Sequence, residues 1–256
     1  MDLLLELNKF DHIKYHDEPH HYYIGDRLLT SATTFIGQFK NKFDSDGQSE
    51  KYANKHGLVK EEVLAEWDHK RDYSTIKGSA VHDYAENHWN NKIFPYDPAP
   101  ALNRFGEDIV KPAYDKCVKL FDQFYQDSRA NLVPIKNEFI VGDEELGICG
   151  MIDQLFWNKK TNQLQIWDWK TNKAINTKSA FGNRFKRPIS HLEECEFNSY
   201  SLQTSLYKYM IEKNTNLKIG DLYFVWFFEG NETYKVFKCL DMRKEIEDMF
   251  KYGASW

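Results

Sequence analysis

Two neighbouring apolar segments, residues 148–157 and 163–170, carry charged side chains where a folded chain would bury them. The first contains Asp153, and the second ends in Asp168-Trp169-Lys170. Side chains alternate between the two faces of a β-strand, so Asp168 and Lys170 project from the same face. A buried charge is costly unless it is paired or bound to a metal ion. These residues are therefore the first candidates for a functional site.

The link between the two segments, residues 158–162, is polar and has the length of a hairpin turn, which predicts antiparallel neighbouring strands. Asp153 then approaches Asp168 across the strand pair. Two carboxylates in close proximity repel each other, and a divalent cation bound by their oxygens relieves the repulsion. Such a cation can also acidify a water and offset phosphate charge, which is the chemistry that phosphodiester hydrolysis requires.

Three further segments accompany this pair along the chain: residues 78–86 with Gly78, His82 and Glu86, the apolar stretch 132–141 with Glu138, and residues 203–207 with Gln203 and Tyr207. In this order, over about residues 75–240, the segments resemble the PD-(D/E)XK nuclease superfamily, with Ile152 in place of its proline. The Gly78–His82 and Gln203–Tyr207 patterns are similar to the RecB-type exonuclease branch. Residues 22–35 resemble the N-terminal hairpin of small single-domain members, such as mitochondrial genome maintenance exonucleases and phage-encoded relatives.

The resemblance implies an α/β fold with a restriction-endonuclease-like core, in which helices flank a mixed central β-sheet. We expect one nuclease domain over residues 1–256, with an N-terminal hairpin and helical region (1–75), a catalytic core (76–240) and a C-terminal helix (241–256). Hydrophobic patterns predict helices at 48–92, 104–128, 197–213 and 242–251, and strands at 132–141, 148–157, 163–170, 222–228 and 233–238. Pro112 either kinks the second helix or marks its start.

The resemblance also assigns roles to the charged residues. Asp153, Asp168, His82 and the Trp169 carbonyl are the expected ligands of a Mg²⁺ or Mn²⁺ ion, and Glu138 completes the metal shell or orients a ligand. The catalytic set is Lys170, Asp168, Asp153 and Glu138. Lys170 would hold or deprotonate the attacking water, or stabilise charge developing on phosphorus. The alternative for the aspartates is a buried structural ion pair with Lys170.

Supporting roles are less specific. Glu86 shares a helical face with His82 and is expected to be structural or to support a ligand. Gln203 and Tyr207 share a face with Tyr200, and they either satisfy and pack buried groups or contact the scissile strand.

The net charge of −5 argues against a nucleic-acid enzyme until its distribution is considered. Residues 159–187 contain eight Lys or Arg against one acidic residue. This basic segment is the feature expected to meet a phosphate backbone, through Lys173, Arg184, Lys186 and Arg187. A solvated lysine-rich loop is the alternative. Phe181 and Phe185, in the same segment, either stack on unpaired bases or pack within the loop.

Other patterns limit the possible cofactors and locations. The four scattered cysteines favour free buried thiols and no iron–sulfur cluster. His12, His16, His20 and His21 lack a metal-site spacing, so we expect surface or hairpin positions. The N-terminus does not read as a signal peptide and no segment has the length of a membrane span, which predicts a soluble, intracellular, cytoplasmic protein.

The paired acidic residues predict a divalent-metal-dependent nuclease, and the RecB-type resemblance implies a DNA exonuclease acting from free ends of single-stranded DNA or duplex. The alternatives are a structure-specific endonuclease and a catalytically inactive nucleic-acid-binding module with the same fold. The expected partner is DNA and not a membrane, and the sequence does not identify a protein partner.

Overall fold

The computed structural model describes residues 2–16 and 20–253. The helices are α1 (Leu3–Leu7), α2 (Ala32–Gly37), α3 (Ser45–His56), α4 (Lys60–Trp89), α5 (Ala99–Phe105), α6 (Lys111–Ser128), α7 (Glu196–Asn214) and α8 (Arg243–Gly253), with a 3-10 turn at Asn8–Phe10. The strands are β1 (Lys14–His16), β2 (His21–Ile24), β3 (Arg27–Ser31), β4 (Leu132–Asp143), β5 (Ile148–Asn158), β6 (Gln163–Lys170), β7 (Ile219–Trp226) and β8 (Lys235–Lys238).

All eight strands form one mixed sheet in the order β1-β2-β3-β5-β6-β7-β8, with β4 paired to β5. The hairpin predicted between β5 and β6 is present and antiparallel, whereas β6 pairs with β7 in parallel. Strand β3 pairs with β5 at Ile148 and Cys149, and β6 pairs with β5 from Gln154 onward. Among the described residues, positions 150–153 of β5 lie between these two pairings, so β6 separates from β5 beside Asp153.

Two hydrophobic clusters account for the layers of helices on this sheet. One joins α2, α7 and α8 to the sheet and includes Ile152, Ile166 and Leu206. The other joins α4 and α6 to the sheet and is rich in aromatic rings, including Phe121, Trp169 and Phe227. The sheet is thus covered by helices on both faces, as predicted. No helix within the described ranges is long and apolar enough to cross a membrane.

The predicted helix at 48–92 is wrong as a single element, because α3 ends before Gly57 and α4 begins at Lys60. Gly57 adopts φ of 66°, a left-handed conformation that glycine tolerates and that ends a helix. The predicted helix at 104–128 is also divided, since α5 ends at Phe105. Pro112 lies in the first turn of α6, so it marks a start and not a kink.

The remaining elements differ from the predicted ones mainly at their ends. Strand β7 begins at Ile219, three residues before the predicted start, and α7 and α8 match within two residues. The N-terminal hairpin is present, and Ser31 caps α2 by accepting a hydrogen bond from the Thr34 N–H at 3.1 Å. Short strand β1 and helix α1 carry little periodic signal and were not predicted.

Candidate active site

Asp153 and Trp169 meet where strands β5 and β6 separate. The backbone N–H of Trp169 donates a 2.6 Å hydrogen bond to Asp153 Oδ2. The main chain of β6 therefore turns its hydrogen-bonding groups towards the Asp153 carboxylate instead of continuing the ladder with β5. The Trp169 indole packs in the aromatic cluster on the other side, which holds this stretch of backbone in place.

His82 reaches the same point from helix α4. Its Nδ1 atom lies 3.6 Å from Asp153 Oδ1, and its Nε2 atom lies 3.1 Å from the carbonyl oxygen of Trp169. One helical turn earlier, Gly78 lies beside the end of β6, where a Cβ atom would be in ordinary van der Waals contact with Thr171 Oγ1, at 3.4 Å. The glycine and histidine of the 78–82 pattern thus both lie beside the end of β6, and the histidine reaches the Asp153 carboxylate.

Glu138 enters the site from β4. It faces position 153 in the β4–β5 register, and its own φ of 44° is unusual for a non-glycine residue in a strand. Such a conformation is strained and is often found at functional sites. Ligand atoms of His82, Glu138 and Asp153 all lie within 4.8 Å of one another. In the described part of the chain, this is the one group of three His, Cys, Asp or Glu side chains with that spacing.

Asp168 and Lys170 form an ion pair beside this group. Asp168 Oδ2 contacts Lys170 Nζ as an ion pair and makes no directed hydrogen bond. The ammonium also lies over the Tyr200 ring of α7, 4.5 Å from its centroid. The same-face projection predicted from strand alternation is therefore present, and Asp168 is paired with Lys170 and not grouped with the three possible ligands.

Burial and like charges set unusual proton affinities in the site. Burial lowers the pKa of His82, but Asp153 outweighs it and raises the pKa to about 9. Burial likewise raises the pKa of Asp153, but His82, Lys170 and the Trp169 N–H hold it below its usual range. Asp153 and His82 are therefore an anion–cation pair in the absence of a metal.

The other two carboxylates show the opposite shift. Burial, followed by the charge of Asp153, raises the pKa of Glu138 to about 7. Burial also raises the pKa of Asp168, and although Lys170 opposes the shift the value reaches about 6. Burial lowers the pKa of Lys170, but Asp168 and Asp153 raise it above its ordinary value. Burial, with the charge of Asp153 adding to it, thus makes two of the carboxylates resist ionisation.

This donor set fits a hard divalent cation. His82, Glu138 and Asp153 offer one imidazole nitrogen and carboxylate oxygens, and the Trp169 carbonyl faces His82 from the strand. Oxygen-rich sets with one imidazole suit Mg²⁺ and Mn²⁺. A cation here would offset the cost of ionising Glu138 and Asp168, whose pKa values are raised mainly by burial and further by the charge of Asp153.

The predicted supporting residues lie around this centre. The backbone carbonyl of Glu86 accepts a 3.2 Å hydrogen bond from Asn137, next to Glu138. Gln203 Nε2 donates to the hydroxyl of Tyr207 at 2.9 Å, and Tyr207 is buried. The Tyr207 ring occupies the space above Gly150, where a Cβ would approach it to 2.4 Å. The Gln203–Tyr207 pair therefore packs α7 onto β5 beside Asp153.

The basic segment crosses the surface after Lys170. Lys173, Arg184, Lys186 and Arg187 are exposed. Arg184 donates to the His191 carbonyl at 2.8 Å, and Lys186 Nζ lies 3.3 Å from the Gln38 carbonyl, so part of their hydrogen-bonding capacity is used within the protein.

The two phenylalanines of this segment have different surroundings. Phe185 is buried in the core beneath the loop. The base-stacking alternative is therefore wrong for this residue, and the packing alternative is confirmed. Phe181 is 90% exposed. The cysteines are buried thiols. His12, His16 and His20 are exposed and His21 is half-buried, as expected of surface and hairpin positions.

Two neighbours of the site were not among the predicted residues. Tyr200 contacts Lys170, and the sequence indicated only that it shares a helical face with Gln203. Lys77 is buried immediately before Gly78. A signal for Lys77 does exist, because positions 77, 81, 85 and 89 recur at helical spacing and the last three are apolar.

The mixed sheet, Asp153 and Asp168 on adjacent strands, and Lys170 two positions after Asp168 are arranged as the resemblance stated for the sequence implies. Comparison with protein families matches residues 50–249 to the PD-(D/E)XK nuclease superfamily. The chain belongs to this superfamily, and its fold is the restriction-endonuclease-like α/β fold. Members use divalent metals and act on nucleic acid, so the chain is a nuclease by family. No curated protein matches the sequence significantly.

Proposed function

We propose that the chain is a divalent-metal-dependent deoxyribonuclease that degrades DNA from free ends. The observation that carries this proposal is the convergence of His82, Glu138 and Asp153 within 4.8 Å of one another, beside the Asp168–Lys170 pair. Three different elements deliver the three side chains to one point. A purely structural ion pair requires no such convergence, and crowded carboxylates destabilise a fold that lacks a cation.

Each residue has a proposed task. His82, Glu138, Asp153 and the Trp169 carbonyl would hold Mg²⁺ or Mn²⁺, and Asp168 would be a further ligand from its place beside them. Such an ion supplies an acidified water and offsets the charge of the scissile phosphate. The Lys170 ammonium, held by Asp168 and the Tyr200 ring, either orients that water or stabilises charge developing on the phosphoryl oxygens.

The substrate reaches this centre along the basic segment. Lys173, Arg184, Lys186 and Arg187 are exposed on it, directly after Lys170 in the chain. Exposed lysines and arginines bind a phosphate backbone without regard to sequence. Action from ends is supported by the RecB-type patterns at 78–86 and 203–207, which is family analogy and not geometry.

The test is cleavage of end-labelled substrates with Mg²⁺, with Mn²⁺ and with chelator. Linear single strands and duplexes, their closed circular counterparts and a matched RNA are compared, and Lys170→Ala serves as the inactive control. We expect metal-dependent shortening of linear DNA while circles remain intact. Cutting of closed circles would favour a structure-specific endonuclease, and binding without cleavage would favour a binding module. Full activity in chelator would overturn the metal mechanism.

A further inference from the structure

Lys77 is a buried charge that the proposed mechanism does not use. Only 3% of its surface is exposed, although it lies on helix α4 one residue before Gly78. Its ammonium donates to Glu229 Oε2 at 2.6 Å and to the backbone carbonyl of Thr171 at 3.1 Å. The rings of Tyr73 and Phe228 flank it, with centroids 5.9 and 5.7 Å away. At this depth the side chain has no access to a nucleic-acid backbone.

The Thr171 contact matters because of where that carbonyl lies. Three successive backbone carbonyls lie at the end of β6, and each of them contacts a different group. The Trp169 carbonyl faces His82 Nε2, the Lys170 carbonyl accepts from the Phe227 N–H at 2.7 Å, and the Thr171 carbonyl accepts from Lys77. The backbone that presents the Trp169 carbonyl and Lys170 is therefore fixed on both sides.

Helix α4 and the end of β6 contact each other at two points with Gly78 between them. Lys77 holds Thr171 at one point, and His82 faces Trp169 at the other. Both contacts are present together: Lys77 precedes His82 by five residues on α4, and Thr171 follows Trp169 by two residues at the end of β6. Fixing the first contact fixes the axial position of the second.

We infer that Lys77 is a positioning residue, which sets the register of α4 against β6 and thereby the placement of His82 relative to Asp153 and the Trp169 carbonyl. The inference rests on the proposed metal-dependent nuclease function. Glu229 keeps the ammonium in place, 2.6 Å from Lys77 Nζ. Residues that orient metal ligands in this way typically change metal affinity or activity by about 10- to 100-fold when replaced.

The test measures Mn²⁺ affinity by calorimetry without DNA, and separately kcat and KM for cleavage. For Lys77→Met we expect about 10-fold weaker Mn²⁺ binding and a similar fall in kcat, with KM for DNA unchanged. Lys77→Arg retains a donor and should recover part of both. Lys70→Met is the matched control, because Lys70 lies on the same helix in an exposed ion pair with Glu66 and should behave as wild type.

A second variant separates positioning from stability. Lys77→Met leaves Glu229 without its partner and could unfold the protein, whereas Lys77→Met with Glu229→Leu removes the buried pair as a unit, a change that folds often tolerate. If this double variant melts like wild type and still loses Mn²⁺ affinity, positioning is supported. Wild-type Mn²⁺ affinity and kcat in a folded double variant would overturn it. A wild-type protein that neither binds Mn²⁺ nor cleaves DNA would instead overturn the proposed function, and this inference with it.

Discussion

Two buried carboxylate sites on the same pair of strands differ in how their charges are satisfied. Asp143, at the end of β4, is 1% exposed and has three donors: Lys213 Nζ at 2.9 Å, the Leu146 N–H at 2.8 Å and Asn214 Nδ2 at 3.0 Å. Burial alone would raise its pKa, but these donors hold the pKa below its usual range. The charge of the Asp143 carboxylate is therefore satisfied by protein donors, without a ligand.

The Asp153 site lies further along the same strands, and its charges are not satisfied in that sense. Glu138 and Asp168 have raised pKa values of about 7 and 6, from burial and from the neighbouring charge of Asp153. The difference teaches that a buried carboxylate is not by itself a sign of function. The sign is a group of buried carboxylates with too few donors to offset the cost of their ionisation, at a position where a cation would supply the missing charge.

The largest expected difference is in turnover. Asp153→Asn should lower kcat by about 10³-fold or more, because it removes a proposed metal ligand, whereas Asp143→Asn should leave kcat within about 3-fold. Lys170→Ala should be as inactive as Asp153→Asn but retain Mn²⁺ affinity. Steady-state cleavage and calorimetric Mn²⁺ titration of the three proteins measure this. Equal losses at positions 143 and 153 would remove the functional distinction between the sites.

Metal addition should stabilise the protein through one site only. A ligand that binds only the folded state adds about 2.7 kcal/mol at 100 times its dissociation constant. Mn²⁺ should therefore raise the melting temperature of wild type and of Asp143→Asn, and it should not raise that of Asp153→Asn. Thermal unfolding with Mn²⁺ and with chelator measures the shift. If Mn²⁺ raised the melting temperature of Asp153→Asn but not that of Asp143→Asn, the cation would bind at Asp143 and not at Asp153.

In the absence of metal, the substitution at Asp143 should cost more unfolding free energy than the substitution at Asp153. Asp143→Asn removes a charge that three donors satisfy and should cost about 2 kcal/mol of unfolding free energy. Asp153→Asn loses the attraction of His82 but also relieves repulsion with Glu138 and Asp168, so its change should stay within about 1 kcal/mol. Urea denaturation in chelator compares the two. A larger loss at position 153 would mean that its charge is structural.

Much of this comparison could be predicted from the sequence, but only for one of the two sites. The antiparallel β5–β6 hairpin, the same-face projection of Asp168 and Lys170, and the helical position of His82 follow from strand and helix periodicity. Asp143 was not predicted, because its partners Lys213 and Asn214 lie on α7, about seventy residues away in the chain. Periodicity gives the face of a residue and not its distant partners.

The same limit explains what was missed at the active site. The positive φ of Glu138 and the Trp169 N–H bond to Asp153 belong to the backbone, and no side-chain pattern reports them. The grouping of Asp168 with Lys170, apart from the other ligands, depends on where β6 leaves β5. The split of the predicted 48–92 helix was readable in part, since Gly57 is a residue that commonly ends a helix.

The last expected effect is a pH-dependent loss of unfolding free energy at Glu138. Its pKa is raised to about 7 in the folded protein. At pH 4, below the ordinary glutamate pKa, the group is largely protonated in both folded and unfolded states and the cost is small. As pH rises towards 7 the unfolded state ionises first, so the folded state loses stability, and above 7 the loss is constant. Glu138→Gln removes that loss.

Glu138→Gln should therefore resemble wild type in stability at pH 4 and exceed it by about 2 kcal/mol at pH 8 in chelator, a figure reduced because the side chain is only half-buried. Asp143→Asn is the opposite control: the lowered pKa of Asp143 gives stability that is present at neutral pH and lost as pH falls, so its deficit should shrink towards pH 3. Urea unfolding at pH 3, 4, 6 and 8 gives both curves. If the two variants diverge from wild type in the same direction with pH, the carboxylates at 138 and 143 experience the same environment and the contrast between the satisfied Asp143 carboxylate and the Asp153 site fails.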